Sequence, residues 1–177
     1  MNIILIGYRA TGKTTLARLL AERLGWSWRD ADVEIERRAG KSIARIFAEE
    51  DEPAFRQLEA QVIADLCGQQ RLVLAAGGGA PLRADSRRLL RESGTVVWLL
   101  ARPETILQRM SADTTTAARR PNLTDKGPLD EIIQLLAVRE PIYQEAAHLR
   151  VDTEGKSPAQ IAEEILAQFR LAPQAVD

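Results

Sequence analysis

Eight consecutive residues constrain this chain more than any others. Gly7-Tyr8-Arg9-Ala10-Thr11-Gly12-Lys13-Thr14 reads G-x-x-x-x-G-K-[ST] and directly follows the apolar run Ile3-Ile4-Leu5-Ile6. A strand that turns into a helix through such a loop wraps backbone N–H groups around a β-phosphate. It also sends an ammonium to the β- and γ-oxygens and offers a hydroxyl to Mg²⁺. Lys13 and Thr14 occupy the last two positions. Leu16, Leu19, Leu20 and Leu24 then recur at helical spacing up to Gly25, so a helix N-terminus and its partial positive charge face the loop. The expectation is a nucleoside triphosphate site at the end of the first strand.

Beyond the loop, short apolar or β-branched runs at 3–6, 26–29, 72–76, 96–100 and 149–151 alternate with amphipathic stretches, the rhythm of an α/β fold. Helices are expected over 13–24, 33–39, 43–49, 54–66, 83–92, 104–110, 129–140 and 158–169. Gly40 is placed to end one helix and Ser42 to cap the next; Pro53 suits a first turn, and Pro141 should interrupt the long helix before it. Two stretches break the rhythm: helical residues 33–66 lie between two strands, and 111–128 has turn-like composition. Both read as insertions over a site, which in an open parallel sheet lies beyond the carboxyl ends of the strands.

Composition narrows the setting. At 177 residues and 45% hydrophobic content the chain is the size of one domain with its own core, and no repeat or linker divides it. A net charge of -1 with both signs interspersed argues against nucleic acid or an anionic membrane surface as partner. Cys67 is the only cysteine, which excludes an intrachain disulfide; in an apolar helical stretch it reads as a small buried hydrophobe. No apolar run is long enough for a signal segment or a membrane span, so a cytoplasmic location is expected. His148, the only histidine, begins the last strand and is expected to be structural.

Phosphoryl transfer needs a metal contact and a group that orients the attacking oxygen. Asp30-Ala31-Asp32 follows the second strand and suits both jobs, provided the next helix splays the two side chains apart. Either aspartate can equally be a helix cap. Gly77-Gly78-Gly79 ends the 72–76 strand at the same edge, as backbone donors for a ligand or as a flexible connection. That strand ends without the acid a switch-type ATPase would carry there, which favours a small kinase using Asp30. Arg56 and Glu59 sit three apart on one helix, a spacing at which a carboxylate holds a guanidinium. Arg119-Arg120-Pro121 and Arg139-Glu140-Pro141 supply further arginines, each by itself readable as a solvated charge.

Taken in order, these motifs resemble the shikimate kinase family nearly end to end. They comprise the phosphate loop, the D-x-D pair, Ile43 to Phe47 followed by Phe55-Arg56 with Glu59, the glycine run, Arg120-Pro121 and Arg139-x-Pro-x-Tyr143. The resemblance implies a three-layer α/β/α fold with a five-stranded parallel sheet in the order 2-3-1-4-5, a substrate-binding insertion at about 33–66 and a lid at about 112–126. It implies transfer of the γ-phosphoryl of ATP to the 3-hydroxyl of shikimate, a step toward chorismate and the aromatic amino acids, by a monomer using Mg²⁺.

Carried over by position, Gly7, Ala10, Thr11, Gly12, Lys13, Thr14, Thr15, Arg109 and Arg120 would bind ATP, with Lys13 and Arg120 on the transferring phosphate. Thr14 and Asp30 would hold Mg²⁺. Asp32 would hold the attacking hydroxyl. Arg56, Arg139 and Gly77, Gly78 and Gly79 would bind the acceptor, and Ile43, Phe47 and Phe55 would line its pocket. Three positions depart from the family pattern: Ala10, where glycine is common and which should therefore avoid a positive φ; Ala76, where a hydroxyl is frequent; and Asn122-Leu123-Thr124 in the lid. A gluconate or nucleoside monophosphate kinase would share loop, lid and core without the Arg56, Asp32, Arg139 arrangement. A non-catalytic nucleotide-binding module would have no need of Lys13, Asp30, Asp32 and Arg120 together.

Overall fold

Strands β1 (Asn2–Ile6), β2 (Ser27–Asp30), β3 (Leu72–Ala75), β4 (Gly94–Leu100) and β5 (Leu149–Asp152) lie parallel in the order β2-β3-β1-β4-β5. The structure, a computed structural model, describes residues 1–112 and 127–171. All five residues of β1 are buried, as a central strand covered on both faces requires. Its side chains alternate between two cores. Ile4 and Ile6 join Leu72, Leu74, Val96 and Trp98 on one face. Ile3 and Leu5 join Val73, Val97 and Leu99 on the other.

Helices α1 (Lys13–Leu24) and α8 (Pro158–Leu171) cover the second face. The first face is covered by α4 (Glu52–Cys67), α5 (Ala84–Ser93) and α7 (Pro128–Ala146). The expected α/β/α layering and strand order are therefore observed. Between β2 and β3 the chain inserts α2 (Ala31–Ala39), α3 (Ile43–Glu49) and α4, each begun by an aspartate or serine that accepts backbone N–H groups. Helix α6 (Pro103–Ala112) precedes residues 113–126, so the lid from 113 on, with Arg119 and Arg120, lies outside the described residues. Cys67 is buried, and burial pushes its thiol pKa up despite a hydrogen bond from Ser93.

Three expectations are corrected. Strand β2 starts at Ser27, one residue late, because the Trp26 N–H still bonds the Ala21 carbonyl and closes α1 (2.9 Å). Helix α7 does not stop at Pro141 but runs on to Ala146. Ala137, whose carbonyl loses its partner there, is exposed, as is Pro141, so water can replace the missing bond. Two residues on, Tyr143 is fully buried and its hydroxyl donates to the Gly78 carbonyl (2.6 Å), which rewards continuing the helix. Third, Ala10 adopts φ +60°. Wrapping the phosphate loop takes precedence over the roughly 1–2 kcal/mol of left-handed strain.

Candidate active site

The phosphate loop is a backbone device. Gly7 has φ +137°, and a Cβ there would lie 2.6 Å from the Leu99 carbonyl, so only glycine fits against β4. Gly12 caps α1 in the left-handed conformation with no side-chain hydrogen bond, leaving the helix's first N–H groups for an anion. The Lys13 ammonium donates to the carbonyls of Gly7 (3.0 Å) and Tyr8 (2.7 Å), and Thr11 Oγ1 donates to the Tyr8 carbonyl (2.8 Å). These bonds hold the loop curved around the place where phosphate oxygens would sit. Thr15 is exposed on the first turn of α1.

The two aspartates are indeed splayed apart. Asp30 Oδ1 caps α2, accepting from the N–H groups of Asp32 (2.9 Å) and Val33 (3.4 Å), while its Oδ2 accepts from Thr14 Oγ1 (2.6 Å). Capping and the contact with Thr14 are therefore compatible roles of one carboxylate. Asp32, in the first turn of α2, lies against the glycine run: a Cβ at Gly77 would meet its Oδ1 at 2.8 Å. No group of three or more His, Cys, Asp or Glu placed to hold a metal ion occurs among the described residues. A hydroxyl beside one carboxylate nevertheless fits Mg²⁺, which keeps several waters and takes few protein oxygens besides phosphate.

Beside the loop opens a cavity of about 520 Å³ lined by Tyr8, Arg9, Phe47, Phe55, Arg56, Gly78, Val138 and Arg139, among others. Phe47 and Phe55 pack with tilted rings, 4.7 Å between centroids, and both line the cavity. Arg56 Nη1 donates to Glu59 Oε2 (2.7 Å) and its Nη2 to Glu52 Oε1 (3.1 Å). Burial acts to lower the Arg56 pKa, but the charges and hydrogen bonds of Glu59 and Glu52 more than reverse this, so the net shift is upward. The guanidinium also packs so close to Gly79 that a Cβ there would collide with it. Gly78 joins the two halves: a Cβ on it would lie 3.2 Å from the Gly7 carbonyl and 3.7 Å from Arg139 Nη1. Phosphate loop and arginine cage thus meet at Gly78.

The structure brings Asp32, Arg56, Gly77, Gly78, Gly79, Arg139, Phe47 and Phe55 to this one edge of the sheet. Arg109, on the last turn of α6, donates to Thr153 Oγ1 (3.1 Å) and the Thr153 carbonyl (3.3 Å), beyond the end of β5. Sequence reasoning missed Tyr8, Arg9, Glu52 and Val138. The open positions of the loop motif hide the first two; Glu52, four residues before Arg56, has the spacing that could have revealed it.

A family model described as shikimate kinase matches residues 9–170. The shikimate kinase of Rhodopirellula baltica is 42% identical over 175 residues, covering 99% of this chain and 92% of that protein. A solved shikimate kinase from Acinetobacter baumannii in complex with shikimate is 39% identical with a TM-score of 0.89, over 99% of this chain and 95% of that one. A gluconokinase from Sinorhizobium meliloti, at 20% identity and a TM-score of 0.61 over 97% of this chain and 93% of its own, shares the fold alone.

Proposed function

The chain belongs to the shikimate kinase family, and from that premise we propose how its own residues transfer the γ-phosphoryl of ATP to the 3-hydroxyl of shikimate. One observation carries the reading: a Cβ at Gly78 would lie 3.2 Å from the Gly7 carbonyl and 3.7 Å from Arg139 Nη1, which sets a polyanion cradle beside a cationic pocket. A planar carboxylate suits guanidinium forks, and ring hydroxyls suit the Asp32 carboxylate and the glycine backbone.

In the bound state the Lys13 ammonium exchanges the Gly7 and Tyr8 carbonyls for phosphate oxygens, which it neutralises as the bridging bond to ADP breaks. Arg56 and Arg139 hold the shikimate carboxylate, fixing the ring so that its 3-hydroxyl faces Asp32. Asp32 accepts that hydroxyl's hydrogen bond, aligns the oxygen on the γ-phosphorus and receives the proton as the new P–O bond forms. A loose transition state asks for alignment more than basicity. Thr14 and Asp30 are the residues that would hold Mg²⁺, which when bound screens the β- and γ-oxygens. Arg109 is assigned to the adenine side, and Arg120 to the lid, closing on the phosphates and excluding water. The reading includes action as a monomer in the cytoplasm; no helix among the described residues is long and apolar enough to cross a membrane.

A coupled ADP-release assay with Mg²⁺ and ATP, offering shikimate, gluconate and AMP in parallel, tests the proposal. ADP release that depends on shikimate alone is expected. Release that follows gluconate or AMP, or none with any acceptor, sinks it.

A further inference from the structure

The acceptor cage holds its two arginines by different means. Arg56 is gripped by Glu59 and Glu52. Arg139, among the described residues, has no carboxylate within ion-pair distance; instead its Cζ lies 5.6 Å from the centroid of the Tyr8 ring. Arg9 also lies 5.6 Å from that ring, but its charge is met by the buried Glu131 at 3.2 Å. Tyr8 is 2% exposed, and its ring packs with Ile106, Ile132 and Leu136 of α6 and α7, the helices on either side of residues 113–126. Among the described residues its buried hydroxyl has no hydrogen-bond partner. What this residue offers its neighbours is a ring face.

An arginine already neutralised by glutamates attracts an anionic ligand weakly, whereas one left without a counter-charge attracts it strongly but has nothing to fix its plane. A ring face fixes the plane without cancelling the charge, since quadrupole attraction amounts to a fraction of an ion pair. We infer that Tyr8, at a position the loop motif leaves open, is a positioning residue for the acceptor: its ring holds the Arg139 guanidinium ready for the shikimate carboxylate. Tyr8 is itself a residue of the phosphate loop, so the same residue joins that clamp to the nucleotide side. The inference rests on the reading of Arg139 as a carboxylate ligand.

The experiment measures kcat/KM for shikimate and KM for ATP in Tyr8→Leu, Tyr8→Phe, Arg139→Ala and the Tyr8→Leu/Arg139→Ala double variant, with a melting curve for each. Leucine suits the contacts with Ile106, Ile132 and Leu136 but removes the ring; Tyr8→Met replaces it should Tyr8→Leu melt early. Tyr8→Leu should lower kcat/KM for shikimate about three- to thirty-fold with KM for ATP unmoved. Tyr8→Phe should restore the loss, and Tyr8→Leu should add nothing once Arg139 is alanine. An unchanged Tyr8→Leu enzyme, failure of phenylalanine to rescue, or an undiminished effect in the Arg139→Ala background overturns the inference. If Arg139→Ala itself leaves shikimate kinetics intact, the carboxylate-ligand reading falls and takes the inference with it. If only Tyr8→Leu is silent, the inference alone falls.

Discussion

The two halves of the site are built on opposite principles. The nucleotide side is contiguous: residues 7–14 form it almost alone, through backbone N–H groups, left-handed glycines and a lysine parked on two carbonyls. The acceptor side is assembled from five places, namely α2, α3, α4, the turn after β3 and α7, and it acts mainly through side chains. A phosphate chain is common to many reactions, so its grip can be local and generic. Recognition of one small acid needs charges whose separation is set by packing between elements. A further contrast lies within the cage, between the glutamate-held Arg56 and the ring-held Arg139.

The sharpest way to separate the halves is Asp32→Asn. It should lower kcat by about 10²- to 10⁴-fold while changing ATP affinity by no more than about twofold, because the lost group serves the acceptor. Kinetics with shikimate and a fluorescent nucleotide titration check this; wild-type turnover would remove Asp32 from the mechanism. Arg56→Ala and Arg139→Ala should each weaken acceptor binding by about 2 kcal/mol or more. Only the former should also cost about 3 kcal/mol of stability, since it takes an ion pair from Glu59, which is 3% exposed. Equal melting temperatures for the two variants would dissolve the contrast drawn between the arginines.

Gly79→Ala probes the backbone contribution to the cage. Its Cβ would collide with the Arg56 guanidinium, so shikimate binding should fall by about 1–3 kcal/mol, with KM for ATP unaffected. On the loop, Ala10→Gly relieves left-handed strain of about 1–2 kcal/mol against about 0.5–1 kcal/mol of extra unfolded-chain entropy. A gain of roughly 0.5–1 kcal/mol follows, read as a melting temperature about 2 °C higher; a drop would contradict the strain.

The smallest effect concerns neither half. His148 Nδ1 accepts the Val96 N–H (3.0 Å), and burial, helped by the Arg91 charge, lowers its pKa from 6.5. The folded state therefore binds the proton less readily than the unfolded chain. Its stabilising contribution is complete above pH 6.5 and is lost as pH falls through the lowered folded value. His148→Asn, which can offer an oxygen near the same place and does not titrate, should flatten the fall of melting temperature between neutral and mildly acid pH. An identical acid limb in both proteins would refute the role.

Much was legible because it is local. Helix α1 and helix α3 match their expected bounds, since Gly12 and Gly25, Ser42 and the spacing of apolar residues sit within a turn or two of what they control. Arg56 and Glu59 were readable as a pair for the same reason. At Pro141 and Ala10, by contrast, a constraint beyond the nearest neighbours overruled the local signal. Pro141 did not end α7 because Tyr143 reaches the Gly78 carbonyl across the molecule. Ala10 took φ +60° because the loop must close on its ligand site.

From the chain's own letters came the phosphate loop, the alternating layers and the inventory of acids and arginines, all governed by interactions a few residues long. Only folding decided that the Gly7 carbonyl and the Arg139 guanidinium both come up to Gly78, and that Arg139 rests on Tyr8. Those relations join residues far apart in the sequence, and no period or spacing encodes them. They exist because burying both faces of the sheet leaves one arrangement of helices in which these side chains meet.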